Sequence, residues 1–124
     1  MNNDEHESPA ARFAAAKKRA KTKVVDEFAA SLSFPMDDFQ VDACRALAAG
    51  SGVLVAAPTG AGKTIVGEFA IHLAISSKQK VFYTTPIKAL SNQKYQELVE
   101  RYGQENVGIL TGDNNTNGSA PIVV

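Results

Sequence analysis

The sequence has little cysteine, no tryptophan, no excess charge of either sign and no long apolar run. The single cysteine, Cys44, excludes an internal disulfide and a cysteine-built metal site, which suits a reducing compartment. Lys and Arg equal Asp and Glu at 13 each, so net charge gives no argument for polyanion binding by the whole chain. No apolar run approaches the roughly 20 residues that cross a bilayer. The acidic start also lacks the apolar stretch of a secretory signal, and we therefore expect a soluble, cytoplasmic protein without a membrane partner.

The length and composition indicate one modest core, because only 124 residues, 44% of them hydrophobic, are available. We expect residues 1–11 to form a disordered polar lead and residues 12–33 a basic helical segment, followed by one domain over residues 34–124. The cations of the helical segment are Arg12, Lys17, Lys18, Arg19, Lys21 and Lys23. They could serve as an electrostatic arm for nucleic acid or form a solvated helix face, and nearby acidic residues favour the second interpretation.

Helical and strand patterns alternate over the remaining residues. Asp37 or Asp38 is suited to cap a helix that ends at Gly50, and the unbroken apolar run Val53–Ala56 predicts a strand covered on both faces. The pattern then predicts a helix from Ile65 to about Ser76, a strand over 80–85, a helix from Ala89 to about Tyr102, a strand over 107–110 and a last strand over 122–124. Such alternation predicts an α/β fold, with a parallel sheet and helices on both of its faces, preceded by the helical N-terminal segment.

The run from Ala57 to Thr64 fits a P-loop between a strand and a helix, with Ala in place of the usual first glycine. Glycine at two positions lets the backbone form a nest of N–H groups around phosphate, and the following helix N-terminus favours anions. Lys63 supplies a charge for the β- and γ-phosphates, and the Thr64 hydroxyl suits Mg²⁺. The predicted nucleotide-binding residues are Ala57, Pro58, Thr59, Gly60, Ala61, Gly62, Lys63 and Thr64, of which the last two are also the catalytic candidates.

His6, His72 and Cys44 have no sequence partner at the spacing of a metal site or a catalytic triad. We therefore interpret the histidines as structural or solvated residues. Cys44 is interpreted as a small residue on a helix face.

The residues around the P-loop resemble two motifs of one family. The run Phe34 to Gln40 is similar to the Q-motif region of DEAD/DEAH-box helicases, in the form found in their Ski-like and Mtr-like branch, including bacterial HelY-type members. Tyr83 to Gln93 resembles motif Ia of the same family, and Leu110 to Asp113 resembles a strand-end loop near the nucleic acid. The resemblance covers 34–124 and implies a partial RecA-like P-loop domain that binds ATP and Mg²⁺.

The resemblance also implies roles for individual residues. Gln40 is expected to read the adenine edge and Phe34 to pack on the base, although a solvated helix position and a hydrophobic staple are the alternatives. The motifs imply that single-stranded RNA or DNA is held through its backbone by Thr85, Pro86, Lys88, Ser91, Gln93, Gly112 and Asp113. In isolation these segments would also fit an ordinary strand-turn-helix and an ordinary turn.

Helicases of this family also need an acidic motif, Asp-Glu-x-His or Asp-Glu-Ala-Asp, and a second RecA-like domain with an arginine finger. No Asp-Glu pair follows the P-loop. We therefore expect the N-terminal part of a larger ATP-dependent helicase that does not turn over ATP alone. The alternatives are a binding module without catalysis and a different P-loop ATPase or kinase.

Overall fold

The computed structural model describes residues 8–58 and 62–124. The described residues form α1 (Pro9–Ser31), α2 (Asp38–Ala48), α3 (Lys63–Ser76), β1 (Val81–Phe82), α4 (Lys88–Tyr102), a 3-10 turn (Gln104–Asn106), β2 (Val107–Leu110), β3 (Asn115–Thr116) and β4 (Ile122–Val123). The chain divides into two compact units, Met1–Ala70 and Ile71–Val124, and the boundary falls within α3. Among these helices, none combines the length and the apolar character that crossing a bilayer requires.

The first helix begins earlier than the basic stretch suggests. Ser8 and Pro9, which the sequence assigns to a disordered lead, form its start: the Ser8 hydroxyl accepts a hydrogen bond from the Ala11 N–H at 3.1 Å, and proline occupies the first turn. Proline is well suited there because its fixed φ is helical and its missing N–H would have no helical partner. The remainder of the predicted lead, residues 1–7 with His6, lies outside the described residues.

Helix α2 has the limits that its sequence predicts. Asp37 is the N-cap, and its N–H donates to the Gln40 side-chain oxygen at 2.8 Å. At the other end Gly50 has a φ of +93°, and its N–H donates to the Leu47 carbonyl at 2.9 Å. A left-handed glycine after the last turn satisfies carbonyls that have no partner within the helix.

The first unit has its buried side chains on three helices. Phe28 of α1 and Phe69 of α3 are both fully buried, and their rings meet edge to face with centroids 5.3 Å apart. Ala43 and Cys44 of α2 and Val66 of α3 are also buried. Aromatic pairs in this arrangement contribute about 0.5–1.5 kcal/mol beyond their area burial, so the Phe28–Phe69 contact is a main packing element of this unit.

The prediction of a buried strand over Val53–Ala56 is wrong for this structure. These residues have no strand assignment, and Leu54 is 94% exposed. A strand is defined by hydrogen bonds to a neighbour, and among the described residues the sheet contains only β1 to β4. An apolar run by itself carries no information on whether a pairing partner is present.

The sheet lies in the second unit and is mostly parallel, with strand order β1-β4-β2-β3. β4 lies between β1 and β2 and pairs in parallel with both, so the last predicted strand is internal to the sheet. β3 pairs antiparallel with β2 through Ile109 and Thr116. The α/β class and the N-terminal helix are therefore confirmed, and the sheet additionally contains a hairpin that the alternating pattern did not predict.

The core of the second unit lies between its helices and the sheet. It consists of Ile71, Leu98, Val107, Ile122 and Val124, with Ile75, Val81, Tyr83, Tyr95, Val99 and Tyr102 packed around it. Because α4 and the sheet share this core, the loop between β1 and α4 is fixed at both ends. That loop carries the second group of predicted site residues.

Candidate nucleotide and nucleic-acid sites

The described part of the phosphate loop ends at the N-terminus of α3. Gly62 has a φ of +79°, a left-handed conformation that favours glycine. Lys63 and Thr64 follow as the first residues of α3, and both are exposed. The first amides of a helix have no carbonyl partner within it and, together with the helix dipole, favour an anion. Thr59, Gly60 and Ala61, which the sequence predicts to complete the loop, lie outside the described residues.

Gln40 connects α2 to this loop. Its side chain is 3% exposed, its oxygen accepts from the Asp37 N–H, and its Nε2 donates to the Gly62 carbonyl at 2.9 Å. A Cβ added at Gly62 would lie 2.5 Å from that nitrogen. The backbone angle therefore favours glycine at residue 62, and a side chain there would displace the Gln40 amide. The sequence assigned Gln40 to adenine and did not predict this contact. The local pattern of Asp37 with Gln40 three residues later indicates only the cap of α2.

The other predicted nucleotide-binding residues have ordinary surroundings. Phe34 precedes α2 and is 49% exposed, so its ring has a free face. Ala57 is half-buried and Pro58 is exposed. Each amide atom of Gln40 retains capacity for one further hydrogen bond, since the amide carries two hydrogens and its oxygen two lone pairs. Adenine reading by Gln40 and base packing by Phe34 stay predictions.

The described residues fit a triphosphate with a divalent cation. The left-handed Gly62 opens onto the start of α3, and an exposed cation and an exposed hydroxyl follow it. Phosphate oxygens need such N–H and ammonium donors, and Mg²⁺ needs oxygen ligands.

The predicted nucleic-acid residues lie at the carboxyl edge of the sheet in the second unit. The Thr85 hydroxyl donates to the Ile87 carbonyl at 3.1 Å and is also hydrogen-bonded to the Ser91 hydroxyl. Ser91 is buried within the first turns of α4. These bonds hold the loop after β1 against the helix that follows it. In open α/β sheets, ligands bind outside the carboxyl ends of the strands.

Lys88 and Asp113 are brought together from two segments. Lys88 is the first residue of α4, and its ammonium forms a close ion pair with the Asp113 carboxylate. Asp113 and Gly112 lie in the turn after β2, where the Thr111 N–H donates to the Asn114 carbonyl at 2.8 Å. Both charged side chains are more than half exposed, so the pair contributes little stability and can exchange partners.

A small depression of about 190 Å³ lies beside this loop and is lined by residues from β1, β4, the end of β2 and α4, among them Tyr83, Thr85, Ser91 and Leu110. The Lys94 ammonium lies 5.2 Å from the Tyr83 ring centroid and 3.1 Å from the Glu97 carboxylate, and Lys94 is only 8% exposed. No role was predicted for Tyr83 or Lys94. The spacing of Glu97 three residues after Lys94 is a local signal for their ion pair, but not for the contact of Lys94 with Tyr83.

Pro86 and Gln93 are less closely connected to this group. Pro86 is exposed in the loop between β1 and α4, and Gln93 is exposed on α4. The structure thus brings together Thr85, Ser91, Lys88 and Asp113.

Cys44 has no part in either group. It is fully buried in α2, and burial raises the pKa of its thiol to about 11. The thiolate is the nucleophilic form, so this cysteine is inert at neutral pH. Its interpretation as a packed helix residue is confirmed.

Comparison with known proteins gives a consistent result. The family model for DEAD/DEAH box helicases matches residues 37–120. The chain is 62% identical over 100 residues to a probable helicase HelY of Mycobacterium tuberculosis, covering 81% of this chain and 11% of that protein. It is 46% identical over 100 residues to the chloroplastic DExH-box ATP-dependent RNA helicase DExH15 of Arabidopsis thaliana, which covers 81% of this chain and 8% of that protein. It is 45% identical over 100 residues to the human exosome RNA helicase MTR4, which covers 81% of this chain and 9% of that protein. The chain therefore spans about a tenth of the length of these relatives.

Proposed function

This chain belongs to the DEAD/DEAH box helicase family, in its Ski-like and Mtr-like branch, and from that premise we propose that it is the ATP-binding part of an ATP-dependent RNA or DNA helicase. The observation that carries the proposal is the left-handed Gly62 at the start of α3, held by Gln40 and followed by exposed Lys63 and Thr64.

The proposed roles follow from the chemistry of these residues. The first amides of α3 and the Lys63 ammonium bind the phosphate oxygens of ATP, and the Thr64 hydroxyl is an oxygen ligand for Mg²⁺. A bound Mg²⁺ supplies charge neutralisation on the phosphates. Gln40 orients Gly62 and has capacity left for the adenine edge, and Phe34 offers an exposed ring to the base.

We assign the second group to the backbone of single-stranded nucleic acid. Lys88 presents its ammonium at the start of α4, where helix amides add further donors, and the Thr85–Ser91 hydrogen bond holds the preceding loop in place. Phosphate contacts of this kind position a strand without reading bases. Asp113 keeps Lys88 at this edge until a phosphate replaces the carboxylate.

Hydrolysis and movement along a strand are proposed for a longer protein. The arginine finger and acidic motif that phosphoryl transfer needs are not among the residues assigned here, and the matched region covers only 11% of the HelY relative. We expect the chain alone to bind nucleotide without appreciable turnover.

The class of enzyme is tested with the complete protein. Its ATPase rate, measured with and without single-stranded RNA or DNA, should rise severalfold with polynucleotide, because strand binding and nucleotide turnover are coupled in a motor. The Lys63→Ala variant should be inactive in both conditions. An ATPase rate that does not respond to any polynucleotide would instead indicate another type of P-loop ATPase or a kinase.

A further inference from the structure

We propose that the N-terminal part of α1, together with the end of α2, forms a second nucleic-acid-binding surface that holds the phosphate backbone without reading bases. We call this the basic surface and define it by Arg12, Lys17, Lys18, Arg19, Lys21 and Lys23 of α1 and Arg45 of α2. The choice of nucleic acid as the partner rests on the proposed function; the surface itself lies in the first unit and uses no residue assigned above.

The charge on this part of α1 is of one sign. Six of the 13 Lys and Arg residues of the chain fall within 12–23, and no acidic residue occurs from Ser8 to Val25. With a rise of about 1.5 Å per residue, the six cations span about 17 Å, or about 3 Å per charge. Successive residues of a helix are rotated by about 100°, so Lys17, Lys18 and Lys21 lie on one side of α1 and Arg12, Arg19 and Lys23 on the other.

Most of these cations are available to a partner. Lys23 forms a loose pair with Glu27 at 3.7 Å, while within the described residues the other six cations are in no ion pair. Five of the six residues on α1 are exposed, and Lys21 is half-buried. Only the later part of this helix packs, through Val25 and Phe28. The cationic part is therefore not needed to build the core.

A groove between α1 and α2 gives the surface a shape. It has a volume of about 370 Å³ and is lined by Lys18, Lys21 and Thr22 on one side and by Arg45, Ala48 and Ala49 on the other, with Asp26 as its single carboxylate. Three cations converging from two helices on one groove provide point charges for a phosphate. Lys18 and Lys21 also lie beside the C-terminal end of α2, where the helix dipole favours positive charge.

The composition favours nucleic acid over a membrane surface. A helix that lies on a bilayer buries a face of large apolar side chains. Between Pro9 and Lys23 the only apolar residue larger than alanine is Phe13, which is 72% exposed. The remaining apolar positions are alanine, so the helix has charge for a polyanion but little apolar face for lipid.

The test is a salt series of binding by fluorescence anisotropy, with labelled single-stranded RNA and DNA and the full chain. The variant K17Q/K18Q/K21Q should weaken binding about tenfold or more and lower the slope of log affinity against log salt by about 2, at about 0.7 per lost contact. The matched control K17R/K18R/K21R keeps the charges and should bind as the wild type does. R12Q/R19Q, on exposed positions of the same helix, is a second variant that should lower the slope in the same way.

The K88A variant separates this inference from the proposed function. Loss of binding in K88A, with unchanged affinity and slope in both glutamine variants, would overturn the basic surface alone. Loss in the glutamine variants with no change in K88A would support the basic surface and remove the strand contact assigned to Lys88. Wild-type chain that binds neither polynucleotide, or that binds only vesicles containing anionic lipid, would overturn the basic surface as a nucleic-acid site.

Discussion

At the scale of single residues, the phosphate loop depends on a hydrogen bond between two residues that are far apart in sequence, Gln40 and Gly62. Gln40 uses one end of its amide to start α2 and the other to hold the Gly62 carbonyl. Gly62 in turn has a left-handed backbone angle, and a Cβ there would push the Gln40 amide out of its contact. The glutamine is thus a positioning residue for the loop, in addition to any contact with adenine.

Replacing Gln40 by Met should lower the free energy of unfolding by about 2–4 kcal/mol, because similar volume is kept while two buried hydrogen bonds are lost. The measurement is urea unfolding followed by circular dichroism. Gln93→Met, at an exposed position of α4, is the matched control and should change stability little. Equal midpoints for the two variants would show that the Gln40 contacts are not needed.

The thiol of Cys44 predicts a stability change at alkaline pH. Its pKa is about 11 when folded and near 9.0 when exposed, so the folded state retains a proton that the unfolded state releases. This contribution is complete below pH 9 and is lost as pH rises towards 11, with a slope of at most about 1.4 kcal/mol per pH unit. The loss of stability between pH 8 and 10 should therefore be smaller in Cys44→Ala. Parallel curves for the two proteins would contradict the raised pKa.

At the scale of elements, the hairpin of β2 and β3 carries the turn that places Asp113 opposite Lys88. Gly108 of β2 lies under the chain that continues from β3: a Cβ there would be 2.1 Å from the Asn117 carbonyl oxygen and 3.0 Å from that of Thr116. Backbone atoms cannot move aside as the end of a flexible side chain can. The hairpin therefore requires glycine at this position for space, not for its backbone angle.

Gly108→Ala should destabilise the protein by about 1–3 kcal/mol, because the hairpin must shift to accommodate the methyl group. Gly112→Ala is the matched control, since a Cβ there would have no atom within 4 Å. Thermal unfolding by circular dichroism of the two variants provides the comparison. The same small shift in Tm for Gly108→Ala and Gly112→Ala would show that the hairpin does not require glycine at residue 108.

The elements also show what sequence could and could not predict. The limits of α2 followed from Asp37 and Gly50 because caps and left-handed glycines are local signals. The strand over 53–56 failed and the β3 hairpin was missed, because strand pairing depends on partners elsewhere in the chain. In the candidate site, the loop residues were predicted from the P-loop pattern and the segment 85–91 from its resemblance to motif Ia. The contacts of Gln40 with Gly62 and of Lys94 with Tyr83 join distant positions, and no local pattern encodes them.

At the scale of the whole molecule, the family match and the structural division do not coincide. The helicase model covers residues 37–120, whereas the compact units divide at Ala70 and Ile71. The candidate phosphate loop and the basic surface belong to the first unit, and the group around Lys88 belongs to the second. The phosphate loop and the group around Lys88 therefore lie in different compact units.

The central claim is that the start of α3 binds the triphosphate of ATP. The most direct measurement is isothermal titration of the folded chain with ATP in the presence of Mg²⁺, comparing Lys63→Ala with Lys78→Ala, which removes an exposed charge after α3. Wild type and Lys78→Ala should bind one ATP, and Lys63→Ala should bind about 10–100-fold more weakly, because a charge-assisted contact contributes about 1.5–3 kcal/mol. Equal affinity in all three proteins, each folded by circular dichroism, would contradict the account.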